Sequence, residues 1–240
     1  MKPADRIFVA LDMTDADAAR ALARRLSGRV GGFKLGLEFF AANGPSGVRA
    51  ITDAGLNVFL DLKFHDIPNT VAGAVRAAVA TGASILNVHA SGGHEMMRAA
   101  AEAATEGAEL YNRPRPIVAA VTVLTSMNGN DLASVGQGAP VRDQVLRLAR
   151  LTKDAGLDGV VCSPEESAAV SEACGDDFVR IVPGIRPSWA STDDQKRFTT
   201  PRQALDDGAT YLVIGRPITQ ADDPVEAVFR IAGELEEQSV

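Results

Sequence analysis

Eight short apolar runs rich in β-branched residues alternate with segments of helical spacing, and this alternation constrains the fold more than any other feature of the chain. The strand candidates are residues 7–11, 32–35, 58–62, 85–88, 117–123, 159–162, 179–182 and 211–214. Between them, Ala-rich stretches at 16–26, 70–80, 95–105, 141–155, 164–173 and 224–235 carry apolar residues at helical intervals. Strands separated by helix-length crossovers pair in parallel, so a parallel sheet covered by helices is expected. Eight units spread over 240 residues have about 30 residues each, the length a βα unit requires.

Two parallel architectures compete, a closed barrel and an open doubly wound sheet. The open sheet's Gly-x-Gly-x-x-Gly turn after the first strand is absent, since Asp12-Met13-Thr14-Asp15 stands there. The expectation is therefore an α/β protein with a single (β/α)8 TIM barrel, one catalytic domain over residues 1–240. No Pro/Gly/Ser-rich linker or low-complexity tract divides the chain. The segment 187–200 is the one long polar stretch beside a strand end, and it reads as a mobile loop over a site.

Composition narrows the function classes. With 46% hydrophobic and 23% charged residues, the chain resembles an ordinary soluble protein with enough apolar side chains to bury a core. Apolar runs such as 117–124 are far shorter than the roughly 20 residues of a membrane-spanning helix. The N-terminus has no basic-then-apolar leader pattern, so a cytoplasmic protein without membrane partners is expected. A net charge of −7 and the absence of any Lys/Arg run argue against nucleic-acid affinity. An anionic small substrate is still compatible, because placed cations and backbone amides create a local positive site whatever the total charge. Cys162 and Cys174 suggest neither a disulfide framework nor a zinc ligand set, and both read as structural thiols.

In a TIM barrel, functional residues gather at the C-terminal ends of strands and in the loops that follow. Asp12 ends the first strand candidate, Lys34 lies in the second, Asp61 and Lys63 end the third, Thr125 follows the fifth, Arg186 the seventh, and Gly215-Arg216 the eighth. The densest segment is Asp61-Leu62-Lys63-Phe64-His65-Asp66-Ile67-Pro68-Asn69-Thr70. Strand alternation puts Phe59, Asp61 and Lys63 on one face and Leu60 and Leu62 on the other, so Asp61 and Lys63 are expected to point together into the barrel mouth. Lys34 could join them from the neighbouring strand, and Asp66 could return to a lysine of its own or another subunit. Carboxylates within about 4–6 Å favour the charged form of an amine, which makes the cluster a plausible proton donor. A salt-bridge network closing the barrel top would use the same residues, but the position beside phosphate-type signals favours chemistry.

Those signals are Pro183-Gly184-Ile185-Arg186-Pro187 and Ile214-Gly215-Arg216-Pro217, after the seventh and eighth strand candidates, where TIM barrels often bind phosphate. Gly215 would let backbone amides approach an anion, and the Arg216 fork matches phosphate oxygens. His65, His89 and His94 lack the spacing of a common zinc motif. His65 reads as a loop-orienting residue, His89 as a hydrogen-bonded core residue, and Trp189 as either a lid contact or a packing anchor.

Together these segments resemble the orotidine 5′-monophosphate decarboxylase family, particularly its bacterial branch. The likeness also takes in Val9-Ala10-Leu11-Asp12, Phe33-Lys34-Leu35-Gly36, Asn87-Val88-His89-Ala90-Ser91-Gly92-Gly93, residues 121–127, residues 156–163 and Asp194-Gln195, so that it runs nearly the full chain. The resemblance implies decarboxylation of orotidine 5′-monophosphate to uridine 5′-monophosphate (UMP) in pyrimidine biosynthesis, with no metal and no organic cofactor. It implies that Lys63 is the proton donor to the ring carbon, within a catalytic array of Lys34, Asp61, Lys63 and Asp66. Asp66, Ile67 and Thr70 are expected to reach the neighbouring subunit's site in a homodimer with shared active sites. Asp12 and Lys34 would meet the ribose hydroxyls, Thr125 or Ser126 the base, and Arg186, Gln195, Gly215 and Arg216 the phosphate side. Phosphate binding would close the 187–200 loop. Two rivals are a magnesium-dependent phosphate-sugar decarboxylase or aldol-type barrel, which shares the Asp-x-Lys-x-x-Asp strand, and a noncatalytic nucleotide-binding barrel. Pro68-Asn69-Thr70, Gly184-Ile185-Arg186-Pro187 and Gln195 favour the nucleotide enzyme over the first.

Overall fold

A computed structural model of the chain describes residues 2–138, 140–190 and 199–236. Eight strands close into a barrel: β1 (Ile7–Ala10), β2 (Gly32–Leu35), β3 (Val58–Phe64), β4 (Ile85–His89), β5 (Ile117–Val121), β6 (Gly159–Val161), β7 (Val179–Val182) and β8 (Tyr211–Ile214). Each strand pairs in parallel with its successor, and β8 returns to β1 through Ile7–Leu212 and Val9–Ile214 neighbours. The expected (β/α)8 TIM barrel is the observed fold.

Burial on both faces explains why the strands read as continuous apolar runs: β1 is buried at all four positions. The outer faces pack against a shell of helices: α1 (Ala16–Leu26), α2 (Leu37–Thr52), α3 (Pro68–Val79), α4 (His94–Leu110), α5 (Gly129–Ser134), α6 (Val141–Asp154), α7 (Pro164–Cys174), α8 (Pro201–Asp206), α9 (Arg216–Thr219) and α10 (Pro224–Glu236). Local signals start several of them. The Asp15 carboxylate accepts the backbone N–H groups of Asp17 and Ala18 at the head of α1, and Ser163 and Glu166 form a capping box at the head of α7. Ala19, Ala23 and Leu26 then bury one stripe of α1 against the barrel.

The six expected helices all occur, 16–26 with the same ends and the other five shifted at one or both, whereas α2, α5, α8 and α9 carry no clear helical period. α2 was hidden by Asn43-Gly44-Pro45-Ser46-Gly47, which has the composition of a loop. It is broken at Gly44, whose φ of 58° and ψ of −163° leave the helical region, and Pro45 opens the second half.

The interior of the barrel holds a second, smaller core of Phe8, Ala10, Phe59, Ile85, Ala119, Ile181 and Val213. Moving two residues toward the C-terminal end of β1, β3 and β4 replaces Ala10, Phe59 and Ile85 with Asp12, Asp61 and Asn87. Strand alternation of two therefore builds an apolar floor and sets polar side chains directly above it. Phe59, only 2% exposed, is the floor beneath Asp61. Phe59→Ala should lower the unfolding free energy by about 3–5 kcal/mol in urea titration, because the stacked layer cannot collapse into the space. A loss below about 1 kcal/mol would contradict this account of the interior.

Candidate active site

An alternating chain of charge crosses the C-terminal mouth from β1 to β3. Lys34 Nζ lies 2.9 Å from Asp12 Oδ1 and 3.6 Å from Asp61 Oδ2, and Lys63 Nζ lies 2.7 Å from Asp61 Oδ1. The Lys34 and Asp61 side chains are each 12% exposed and Lys63 28%, while Asp12 stands open at 58%. The register explains the meeting, since Lys34 pairs with Ala10 on one side and with Phe59 on the other. Gly36 keeps the space clear, because a Cβ there would stand 3.1 Å from the Lys34 amine.

Strict alternation does not carry Lys63 to the mouth, which corrects the sequence expectation. β3 advances from Leu60 to Phe64 while β4 advances only from Leu86 to Val88, so the register shifts between these pairs. Within this bulge Lys63 has a φ of 51°, a left-handed conformation that costs a non-glycine residue about 1–3 kcal/mol. Leu60 and Leu62 face the outer core as expected. The Lys63 backbone N–H donates to Asn87 Oδ1 at 2.8 Å, and Asn87 Nδ2 donates to Asp61 Oδ1 at 2.7 Å. Asn87 is fully buried and was not singled out from the sequence, although its place two residues above Ile85 on the inward face of β4 was a usable signal.

Burial is the largest influence on Asp61 and pushes its carboxyl upward. The Lys34 and Lys63 charges, with the hydrogen bonds from Lys63 and Asn87, together outweigh it and hold the pKa below the ordinary value. An ionised carboxylate is thereby kept in a nearly dry position.

Asp66 stands apart from this chain of charge. It is exposed, its carboxylate accepts the backbone N–H of Ile67 at 2.6 Å, and it makes no ion pair among the described residues. Ile67 and Thr70 are exposed too, at the start of α3. Thr125 and Ser126 line a cavity of about 960 Å³ on the side of the mouth formed by the loops after β5, β6 and β7, together with Ser163, Glu166, Pro183 and Gly184. The Lys34, Asp61 and Lys63 cluster lies across the mouth from these loops and does not line that cavity. Arg186 follows β7, where its N–H donates to Thr199 O and draws residues 186 and 199 together. Gly215 and Arg216 follow β8, next to β1, where a Cβ on Gly215 would stand 3.4 Å from that of Ala10. Gln195, and with it residues 191–198 of the expected loop, lies outside the described residues.

Among the described residues no group of three or more His, Cys, Asp or Glu is arranged to hold a metal ion. His94 pairs with Glu95, and the His65 and His89 rings meet at a tilt of 36° with centroids 5.4 Å apart. The His89 ring thus meets another ring, where a side-chain hydrogen bond was expected. Trp189 packs against the outer core under the Arg230 guanidinium, 4.1 Å from its ring centroid, as a packing anchor would. Cys162 and Cys174 are buried free thiols whose pKa burial raises, which suits packing rather than reactivity.

Residues 5–231 match the model of the orotidine 5′-phosphate decarboxylase / HUMPS family. The chain belongs to that family. The decarboxylase of Paramagnetospirillum magneticum is 55% identical over 229 residues, covering 95% of this chain and 97% of that protein. The decarboxylase of Rhodospirillum rubrum is 56% identical over 230 residues, covering 95% and 93%. Among solved structures, the orotidine 5′-phosphate decarboxylase of Lactobacillus acidophilus superposes with a TM-score of 0.84 at 35% identity, covering 96% of this chain and 99% of the other. Every residue of the charged mouth falls inside the family match.

Burial first, then the neighbouring His65 and Lys63, push the His89 pKa below 6.5 against the opposing pull of Asp61. Its ring should titrate by NMR with a midpoint below that of an ordinary histidine. The unfolded chain then takes up a proton that the fold refuses, so this residue lowers stability as pH falls through about 6.5. A midpoint at or above that value would contradict the packing described.

Proposed function

We propose that this chain decarboxylates orotidine 5′-monophosphate to UMP and carbon dioxide without a metal or organic cofactor, in pyrimidine biosynthesis. The observation that carries the reading is the Lys63 amine, seated 2.7 Å from a buried carboxylate at the barrel mouth of a chain from this family. Relatives bearing the decarboxylase name match it at 55% and 56% identity over almost the whole length.

In the proposed reaction the bond between the ring carbon and the carboxylate breaks, and its electron pair stays on the carbon as carbon dioxide leaves. The Lys63 ammonium stabilises that developing charge and then transfers a proton from Nζ to the carbon. The neutral amine recovers its proton from solvent for the next cycle. Asp61 holds the ammonium before substrate arrives, and Lys34 holds the other oxygen of that carboxylate, so little reorganisation is needed as charge develops, and one preorganised group of this kind contributes about 2.7–4 kcal/mol. Asp12 and Lys34 would take the ribose hydroxyls and Thr125 or Ser126 the base. The loops after β7 and β8, with Arg186, Gly215 and Arg216, would take the phosphate where barrels of this type often bind it, and Gln195 would join them.

A homodimer with shared sites is part of the proposal. Ile67 and Leu37 expose 66% and 59% of their surface beside the mouth, which is apolar area a second copy could cover. Asp66 and Thr70 would then complete the partner's site. A cytoplasmic location is proposed with it, and no described helix is long and apolar enough to cross a membrane.

Purified protein mixed with orotidine 5′-monophosphate in chelator should lose orotate absorbance rapidly. Lys63→Ala should reduce kcat by at least about 10²–10³-fold while keeping affinity for UMP. Dependence on added magnesium would favour the aldol-type reading, and UMP binding without turnover would favour a noncatalytic barrel. Mixing the two inactive variants Lys63→Ala and Asp66→Ala should restore activity that neither has alone, because a mixed dimer holds one intact site. No recovery after verified subunit exchange would remove the shared-site arrangement.

A further inference from the structure

We infer that Asn87 is a positioning residue for the reacting amine: its carboxamide fixes both the backbone bulge that delivers Lys63 to the mouth and the orientation of the Asp61 carboxylate. The inference rests on the decarboxylase reading above for its effect on turnover, and on geometry alone for the bulge.

The register shift between β3 and β4 removes the Lys63 N–H from the regular strand ladder, and a buried backbone donor must find another acceptor. Asn87 supplies it through Oδ1 at 2.8 Å. The other end of the same amide donates to Asp61 Oδ1 at 2.7 Å, the oxygen that also receives Lys63 Nζ at 2.7 Å. Backbone, carboxamide, carboxylate and amine thus form a closed ring of contacts that begins and ends on Lys63.

Only one amide orientation works. Turning the group over would set its oxygen against the carboxylate oxygen and its N–H against the backbone N–H, leaving two repulsive contacts in a fully buried place. The backbone of Asn87 is itself held in β4, in register with Ala119 of β5, so the side chain projects from a rigid strand. A left-handed Lys63 is unfavourable by itself, and this ring of contacts is what makes the conformation pay. Asparagine alone among residues of this size offers an acceptor and a donor spaced for both partners, since aspartate lacks the donor and leucine lacks both.

The experiment uses the full chain and two variants, Asn87→Ala and Asn87→Asp, with sites counted by UMP binding so that misfolded protein is not scored. Per binding site, Asn87→Ala should lose about 10²-fold in kcat with KM within about twofold of the parent, as expected when a reacting group is displaced by about an ångström. The acid limb of its kcat profile should move to higher pH, because Asp61 loses a donor that helps keep it ionised. Asn87→Asp keeps an acceptor for the Lys63 N–H but sets a second carboxylate against Asp61, so it should also be slow, with the acid limb displaced further. A purely structural role would lower thermal stability but leave per-site kcat and the acid limb within about twofold of the parent, and that result would overturn the inference. Should neither variant fold, hydrogen exchange on the parent decides: the Lys63 N–H should be strongly protected, and exchange at the rate of an open amide would overturn it. A parent that releases no carbon dioxide would sink the decarboxylase reading separately. In that case loss of Lys63 N–H protection in Asn87→Ala, against its protection in the parent, still settles whether Asn87 holds the bulge.

Discussion

The mouth of this barrel is organised around one buried carboxylate. Asp61 is 9% exposed, and an isolated charge at such a depth would cost several kcal/mol. It persists because its two oxygens meet Lys34, Lys63 and Asn87 from three adjacent strands. The two ammonium groups depend on it in turn, and Asp12 extends the alternation to the edge of solvent. Removing Asp61 takes from Lys63 its carboxylate and leaves Lys34 with Asp12 alone, so the inner charges depend on this one residue.

A closed barrel suits such an arrangement because each inward position has neighbours on both sides and an apolar layer below. Phe8, Phe59 and Ile85 exclude water from beneath the charges. The low polarity of that floor strengthens the attraction between fixed charges, and it raises the penalty for any polar group left without a partner. One strand therefore serves two purposes: Phe59 stabilises the fold, and Asp61, one alternation further on, prepares the site.

Much of this was legible in the chain. The eight strands stood out because parallel strands buried on both faces form unbroken apolar runs, and 32–35, 179–182 and 211–214 have the same ends in the structure. Asp61 and Lys63 were recognisable as a pair from their spacing. Their exact route to the mouth was not, because alternation predicts direction only while the register holds, and the β3–β4 bulge arises from pairing with a strand more than twenty residues away. Asn87 was obscured for the same reason: its value lies in reaching a backbone N–H on another strand. α2 escaped notice because Gly44-Pro45 breaks a helix whose two halves are each too short to show a period. Asp66 accepts only the backbone N–H of Ile67 among the described residues, and Gln195 falls outside them.

The segment 61–70 turns from the barrel interior to its outer rim in a few residues, and the bulge is what makes the turn so abrupt. Asp61 and Lys63 face inward, whereas Asp66, Ile67 and Thr70 are exposed. On the proposed dimer, one stretch of chain would furnish the proton donor of one site and a carboxylate of the other. The bulge would then set two geometries at once, because any change in the path of the chain at Lys63 also moves the start of α3 at Pro68. Such coupling gives a physical reason for the Lys63 strain to persist: relaxing it into a regular strand would turn the amine away from its carboxylate and shift the residues offered to a second subunit.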